Sequence, residues 1–496
     1  MSQVRWAQSA GPPDMNPLRR FDVEGAMVLA LGLETLVKFG NDFKIAPALA
    51  DDFSHSKDLK EWSYRLRRGE ITFWDGSRLT IDDVVYSYQQ HLTNPQSAFG
   101  FFYGIVADVR RRGKDALLVR LKQPDILFQY TPAHTAGLVY QKSGAEKVGK
   151  RLGTPGNLPV GTGPFQFTKY VQNDRVELKR FDGYWEKKPT VEELTVRAIP
   201  DDSSRLIAMR TGEIGGTFDV PPEQFKQWTN AQGVSLQKAS GLGVVYLSFN
   251  VKKAPFDDIA VRRAFAYALD RKGLVSSATQ GSGEVATAFV PPRFWSALNV
   301  SEDEVRNRYA DMPQYDFDLD RARAELKKSK YAGGTTIRVV YPGTYQRLGK
   351  ALLSVKENLA PMGVRLDVGE ITEDQWFANL YEHKNDIGLQ VVLYRPDYPD
   401  PANYASFFST DQIEGGNNFG NYSNPQVDEL LLRQRTVEEA SQRTEPLMRV
   451  IEIVARDVAV APIWWESSLL ATQDDFTAYP SPVWYLVPWA TSIKAA

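Results

Sequence analysis

The stretch "GTTIRVVYPGTYQRLGKALLSVKENLAPMGVRLDVGEI", residues 334–371, decides the fold class. It reads as strand, helix, strand, with Gly363 ending the helix before Val364 opens the second strand. A βα unit of this kind belongs to a mixed α/β protein, and the same alternation of periods continues in both directions. Toward the N-terminus, "WSYRLRRGEITFWDGSRLTIDDVVYSYQQHL" (62–92) alternates, breaks at "WDGS" and enters an amphipathic helix. Thr80 is its candidate N-cap, and Asp82 and Asp83 sit in its first turn against the dipole. "DALLVRLKQP" (115–124) alternates again, and "GPFQFTKYV" (163–171) with "RVELKRF" (175–181) predicts a hairpin turned by "QND". "DDSSRLIAMRTGEIG" (201–215) predicts a helix that delivers the chain to a short strand, "GTFDV" (216–220). "GLGVVYLSFNV" (241–251) is strand-like, and "DDIAVRRAFAYALDRKGLV" (257–275) predicts a helix that opens a second lobe.

The whole chain sets the bounds. At 496 residues it exceeds the size at which one core stops growing, so two or more lobes are expected. A hydrophobic content of 43%, a charged content of 24% and a formal charge of −2 match a soluble globular protein with no electrostatic attraction for nucleic acid or an anionic membrane. The aromatic content stands out: 11 Trp, 22 Tyr and 25 Phe suit surfaces that grip a ligand as well as cores. With 0 Cys there is no thiol catalysis, no Cys-based zinc site and no disulfide. The apolar run "AMVLALGLETLV" (26–37) is too short to span a bilayer and carries Glu34. Met1 leads straight into "SQVRWAQSAGPPDMNPL", which reads as a mature first strand and loop, so we expect a targeting segment to have been removed.

The local signatures of catalysis and metal binding fail on inspection. "GTGPF" (161–165) lacks the Lys-Ser/Thr ending of a phosphate loop and precedes a strand rather than a helix. "DFDLDRARAEL" (316–326) spaces its acids like a calcium loop but has no glycine at the sixth position, and Lys327 stands where a bidentate acid belongs. It reads as an acidic helix N-terminus. His55, His91, His134 and His383 are far apart in sequence and form no metal-ligand pair, so no metal and no cofactor is expected. There is no G-x-S-x-G elbow. A dispersed Ser/His/Asp triad or a carboxylate pair leaves no local trace, so a secreted glycan or peptide hydrolase stays open as the competing class.

One further stretch asks for explanation. In "VVLYRPDYPDP" (391–401) an apolar strand ends in Asp397 and Asp400, fenced by Pro396, Pro399 and Pro401, which deny the backbone donors a sheet needs. Two acids therefore stand on a stiff turn at a strand end.

Several blocks together resemble the family 5 extracellular solute-binding proteins of ABC importers, the dipeptide-, oligopeptide- and nickel-binding group. They are "YRLRRGEITFWDGSRLTIDDVVYSY" (64–88), "PVGTGPFQFTKYVQNDRVELKRFDGYW" (159–185), "RAIPDDSSRLIAMRTGEI" (197–214), "YLSFNVKKAPFDDIAVRRAFAYALDRKGLV" (246–275), "DYPDPANYASFFS" (397–409) and "NYSNPQVDELL" (421–431). They occur in family order across nearly the whole chain. The resemblance implies an α/β, bilobal, periplasmic-binding-protein type II-like clamp. Its lobe I would comprise residues 1–35, 162–243 and 466–496, with an extra subdomain at 36–161, and lobe II residues 244–465. It implies a non-enzymatic, monomeric, extracytoplasmic receptor, periplasmic or anchored as a cell-surface lipoprotein, that closes on a small solute and delivers it to a membrane permease.

The resemblance also assigns residues. Asp397 matches the acid that neutralises the α-ammonium of a peptide ligand, while Asp400 reads as a turn-stabilising Asx residue. Leu393, Tyr394 and Arg395 match the segment that pairs with the ligand backbone as an added strand, with a counterpart in lobe I near Phe21, Asp22 and Val23. Asn250 reads as a cleft-edge amide or, equally, a strand-end cap. Phe218, Trp376 and Trp465 are candidates for an aromatic wall, with core packing as the alternative. The family fold also carries oligosaccharides, opines, nickel chelates and haem. Arg395 could receive a carboxylate or sugar hydroxyls, and Trp464, Trp465, Trp484 and Trp489 could face sugar rings, so an oligosaccharide or opine remains the alternative ligand. Scarce histidine disfavours a nickel chelate.

Overall fold

The computed structural model describes residues 3–40, 42–382, 384–478 and 484–495. His383 and the side chain of Trp484, both singled out above, lie outside that set. The chain divides into two compact units: Met1–Val220, Gln227–Ala239 and Leu469–Ala496 form one, and Pro221–Lys226 with Ser240–Ser468 the other. Two long strands, Val234–Phe249 and Val460–Gln473, carry the chain from one unit into the other.

The first unit is built on a sheet whose strands run Phe165–Val171, Arg175–Arg180, Glu193–Ala198, Gln3–Gln8 and Gly216–Thr217, ending on residues 471–472. The expected hairpin is its edge, turned at Asn173, whose φ of 58° is one that Asn tolerates. The helix Val23–Gly32 is buried over Gly25–Gly32, and Met27, Val28 and Leu31 share a core with Trp6, Phe165 and Leu178. Close packing explains "GTGPF": a Cβ on Gly161 would lie 2.1 Å from the Gly32 carbonyl oxygen. Its glycines let backbone meet the end of a helix, as the exclusion of a phosphate loop requires. A second, antiparallel sheet orders Ala50–His55, Glu61–Leu66, Ala116–Leu121 and Val106–Arg112. Beside it runs the helix Ile81–Thr93, closed by a capping box between Thr80 and Asp83. The short strand expected at 216–220 is confined to Gly216–Thr217; Asp219 turns its side chain to the Ser9 amide at 2.5 Å, and Pro221 follows.

In the second unit, residues 334–371 fold as read. Thr335–Pro342 and Val364–Ile371 pair in parallel around the helix Gln346–Leu359, and Gly363 takes φ +84° at its end. Residues 244–249 pair antiparallel with Leu389–Tyr394. Behind them Phe249, Phe256 and Phe265 form a buried aromatic cluster, with ring centroids 5.1 to 5.9 Å apart. The single helix expected at 257–275 is two, Ile259–Tyr267 and Arg271–Ala278, because Asp270 accepts from the Gly273 amide and restarts the helix. Asp318 likewise caps Leu319–Lys328, the role expected for the "DFDLD" acids.

Candidate functional site

The strand Leu389–Tyr394 stops where the prolines begin, and the turn beyond it is fixed from two directions. Asp400 caps the helix Pro401–Ala405 through the Ala402 amide at 2.8 Å, and its carboxylate meets the Arg443 guanidinium at 2.9 Å. Both partners are essentially inaccessible to solvent. From the other side, Asn403 on that helix accepts from the Asp397 amide at 3.2 Å and from the Tyr394 hydroxyl. The sequence "DPAN" thus places an acid at the cap, Pro at the first helical position, and an amide that reaches back to the strand end.

Asp397 stands in different surroundings. Part of its surface remains accessible, yet enough protein encloses the carboxyl that desolvation pushes its pKa up to about 6, against the pull of the Asn403 side chain. No described cation lies within ion-pair distance of it. Tyr381 and Tyr394 both feel its charge: burial raises each phenol, and the nearby carboxylate raises it further. The Tyr394 ring packs against Tyr404 and Phe407 with centroids at 5.2 and 4.3 Å, and Tyr381 meets Phe419 edge-on at 5.3 Å. A carboxylate with aromatic rings about it has the chemistry to attract a cation.

Among the described residues the strand that leads to Asp397 pairs with residues 244–249 and stands at the end of its sheet. Val391 gives its carbonyl to Trp376 Nε1 at 3.2 Å. Backbone groups alternate in an antiparallel ladder, so every second residue of this strand turns its N–H and C=O away from that partner.

Arg395 turns toward Glu466 rather than Asp397, at 3.3 Å, with about half of its side chain exposed. Glu466 also binds Arg347 Nε at 2.7 Å, and Arg347 reaches Glu223 at 3.1 Å, so four charges alternate along a chain. Burial alone would raise Glu466, but Arg347 and Arg395 hold it below the usual carboxylate range. Burial alone would lower Arg347, and Glu466 with Glu223 hold it up instead. Gly241 permits this approach, because a Cβ there would fall 0.8 Å from the Glu466 carbonyl oxygen.

The remaining expected site residues are placed as follows. Asn250 is buried and donates to the carbonyls of Asn385 and Ile387 at 3.4 and 3.2 Å, the strand-end cap of its two readings. The three wall candidates are packed inside their own units. Trp376 donates to Val391, Trp465 Nε1 to the Ala288 carbonyl at 3.1 Å, and Phe218 lies between Trp6 and Trp489 at 5.1 and 5.4 Å. Trp464 and Trp489 are buried too. In the first unit Phe21 is exposed and meets Phe99 and Phe101 edge-on. The segment Phe21–Val23 runs into a helix, with the backbone still extended at Asp22. Asp22 is the N-cap, accepting from the Gly25 amide at 2.7 Å and pairing with Arg20, and Val23 is the first helical residue.

Tyr381, Asn403 and the Glu466–Arg347 pair were not singled out from sequence. Tyr381 and Phe377 lie one turn apart on the exposed face of the helix Glu373–Tyr381, whose other face buries Trp376 and Leu380. That outward aromatic pair was the available signal. Among the described residues no group of three or more His, Asp or Glu side chains is placed to hold a metal ion.

Comparison with known proteins supplies the lineage. The family model described as bacterial extracellular solute-binding proteins, family 5 middle, matches residues 44–416. A dipeptide-binding protein of Escherichia coli (strain K12) is 27% identical over 449 residues, 85% of this chain and 80% of that one. The glutathione-binding protein GsiB of the same strain is 26% identical over 452 residues, 89% of this chain and 85% of its own. The structure of the periplasmic binding protein DppA from Helicobacter pylori, in complex with the peptide STSA, has a TM-score of 0.82 at 20% identity. The alignment covers 99% of this chain and 98% of DppA. The fold is the type II-like clamp that the sequence led us to expect, and the chain belongs to the bacterial extracellular solute-binding proteins, family 5.

Proposed function

We propose that this chain is the extracytoplasmic receptor of an ABC import system, capturing a small peptide or peptide-like solute and handing it to a membrane permease. The two compact units act as the two lobes of the clamp, and no helix among the described residues is long and apolar enough to cross a membrane. The observation that carries the ligand class is Asp397: a desolvated carboxylate with no cation beside it among the described residues, held by Asn403 at the end of an edge strand. A peptide supplies both missing partners. Its α-ammonium neutralises Asp397, and its backbone pairs with Leu393 as an added strand. The dipeptide and glutathione specificities named for the two relatives support this reading. The family consists of receptors rather than enzymes, and catalytic consumption of a peptide or glycan by the purified chain would contradict the proposal.

The test is a calorimetric titration with short peptides. A charge-assisted hydrogen bond in such a site contributes about 1.5–3 kcal/mol, so Asp397→Ala weakens binding of free-amine peptides at least about tenfold. N-acetylated peptides lose almost nothing. An equal loss for both would remove Asp397 from the ammonium-binding role.

A further inference from the structure

Glu34 and the "GTGPF" stretch, far apart in sequence, meet in the first unit. The chain leaves the first sheet after the helix Val23–Gly32 and comes back to it at the strand Phe165–Val171; the second sheet and the helix Ile81–Thr93 lie between. The outgoing and returning passes are bonded to each other, the Gly163 amide to the Gly32 carbonyl at 3.0 Å. Just beyond, the Glu34 carbonyl accepts from the Val139 amide at 2.8 Å. These two amides close a neck between the two sheets.

The Glu34 side chain fastens that neck. Thr162 Oγ1, on the returning pass, donates to Oε2 at 2.7 Å. Trp185 Nε1 donates to the same oxygen at 3.0 Å, and the Tyr184 hydroxyl to Oε1 at 3.1 Å. Both rings stand on the turn that follows the strand Arg175–Arg180, so one carboxyl joins both passes to the first sheet. The charged groups around it are Glu186, Lys38 and Arg67. Glu186 is a like charge, already paired with Lys38 Nζ at 2.9 Å, and Arg67 lies over the Trp185 ring, 4.9 Å from its centroid. Part of Glu34 remains accessible, yet enclosure pushes its carboxyl up to about 7 against the pull of Trp185, Thr162 and Tyr184, and Glu186 adds to the rise.

A neutral carboxyl has an O–H to place, and the surroundings can take it. The Tyr184 hydroxyl also stands 3.5 Å from Glu186 Oε2, so it can turn its proton to Glu186 and accept from Glu34 instead. An ionised Glu34 meets three donors but no compensating cation among the described residues, and water solvates its charge better. We propose that Glu34 is a proton-operated bolt: protonated, it fastens the neck between the two sheets of the first unit, and ionised, it frees the neck to open. The sign follows from linkage. The folded-state value, about 7, lies above the ordinary 4.5, so the stabilising contribution is complete below 4.5 and is lost as pH rises through 7. The device is independent of Asp397 and of the peptide reading.

Hydrogen exchange of the full chain tests it at the two amides that close the neck. Corrected for the intrinsic rate, protection of Val139 and Gly163 is at least about tenfold lower at pH 7.5 than at pH 5. Glu34→Gln, similar in shape and permanently neutral, removes that dependence, and Asp397→Asn leaves it as it was. The Trp185 indole N–H, identified in nitrogen-15 spectra by its loss in Trp185→Phe, reports the titration directly, with a midpoint near 7. Glu186→Gln, which leaves the three bonds to Glu34 intact, lowers that midpoint by removing the like charge. The inference is overturned if both amides are equally protected at the two pH values, or if Glu34→Gln keeps the dependence. It is equally overturned if the indole titrates below about 5, or if Glu186→Gln leaves its midpoint in place.

Discussion

Asp397 and Asp400 share one turn and one residue type, yet the fold uses them in opposite ways. Asp400 is fully enclosed and fully compensated: Arg443 supplies the charge, and the Ala402 amide a hydrogen bond. Asp397 is partly open and uncompensated, with tyrosine rings and one amide where a cation would be. Carrying a charge out of water costs several kcal/mol unless a partner waits inside. The protein meets that requirement at Asp400 and leaves it unmet at Asp397. The difference separates a residue that holds the turn from one that the turn presents.

The same substitution at both positions should therefore have opposite effects on stability. Asp400→Asn retains the cap but strands Arg443 without its counter-charge, a loss of about 3–5 kcal/mol in urea unfolding. For Asp397 the sign runs the other way. Its folded-state pKa, about 6, lies above the unfolded value of 3.8, so its favourable contribution is complete below 3.8 and is lost as pH rises through 6. At pH 7.5 the ionised group opposes folding, and Asp397→Asn should stabilise the empty protein by about 1 kcal/mol once partial exposure is allowed for. Destabilisation by both substitutions would erase the distinction between the two acids.

How much of this was legible in the sequence follows the same division. The turn itself was readable, because prolines and β-branched residues act locally. So were the N-cap at Thr80 and the βα unit at 334–371, whose signals lie within a few turns of one another. The partner of Asp400 was not, since Arg443 is 43 positions away, and neither was the choice of Glu466 over Asp397 by Arg395, which depends on strands brought together by the fold. The aromatic candidates show the same limit. Trp376 and Trp465 have the composition of a wall, but each indole finds a buried carbonyl, and burial with a satisfied N–H is the commoner fate of tryptophan. The capping role of Asp22 was not read either, because it rests on the Gly25 amide three positions on, at a glycine whose Cβ would crowd Asp22 Oδ1 at 2.8 Å.

Binding should also show the contrast as a pH profile. A free carboxyl titrating near 6 must give up its proton before it can receive an ammonium, so affinity for a free-amine peptide falls about tenfold per pH unit below that point. Above about pH 8 the peptide's own α-amino group deprotonates and affinity declines again. N-acetylated peptides, measured by the same calorimetry, show neither limb. If Asp397→Asn retained the acid limb, the titrating group would lie elsewhere.

The smallest effect is expected at Arg395, where the comparison between compensated and uncompensated charge is least clear-cut. Glu466 is buried and has two cations, but the inner one, Arg347, is enclosed with it, while Arg395 remains about half exposed. Solvent screens the outer contact and Arg347 still neutralises Glu466 without it, so Arg395→Ala should cost less than about 1 kcal/mol in urea unfolding. A loss above about 3 kcal/mol would mean that the outer arginine, not the inner one, compensates Glu466. A small stability change accompanied by a peptide affinity more than about tenfold weaker would carry a different meaning. It would show that Arg395 leaves Glu466 to receive an anionic group of the solute, and that the turn presents a positive charge beside its negative one.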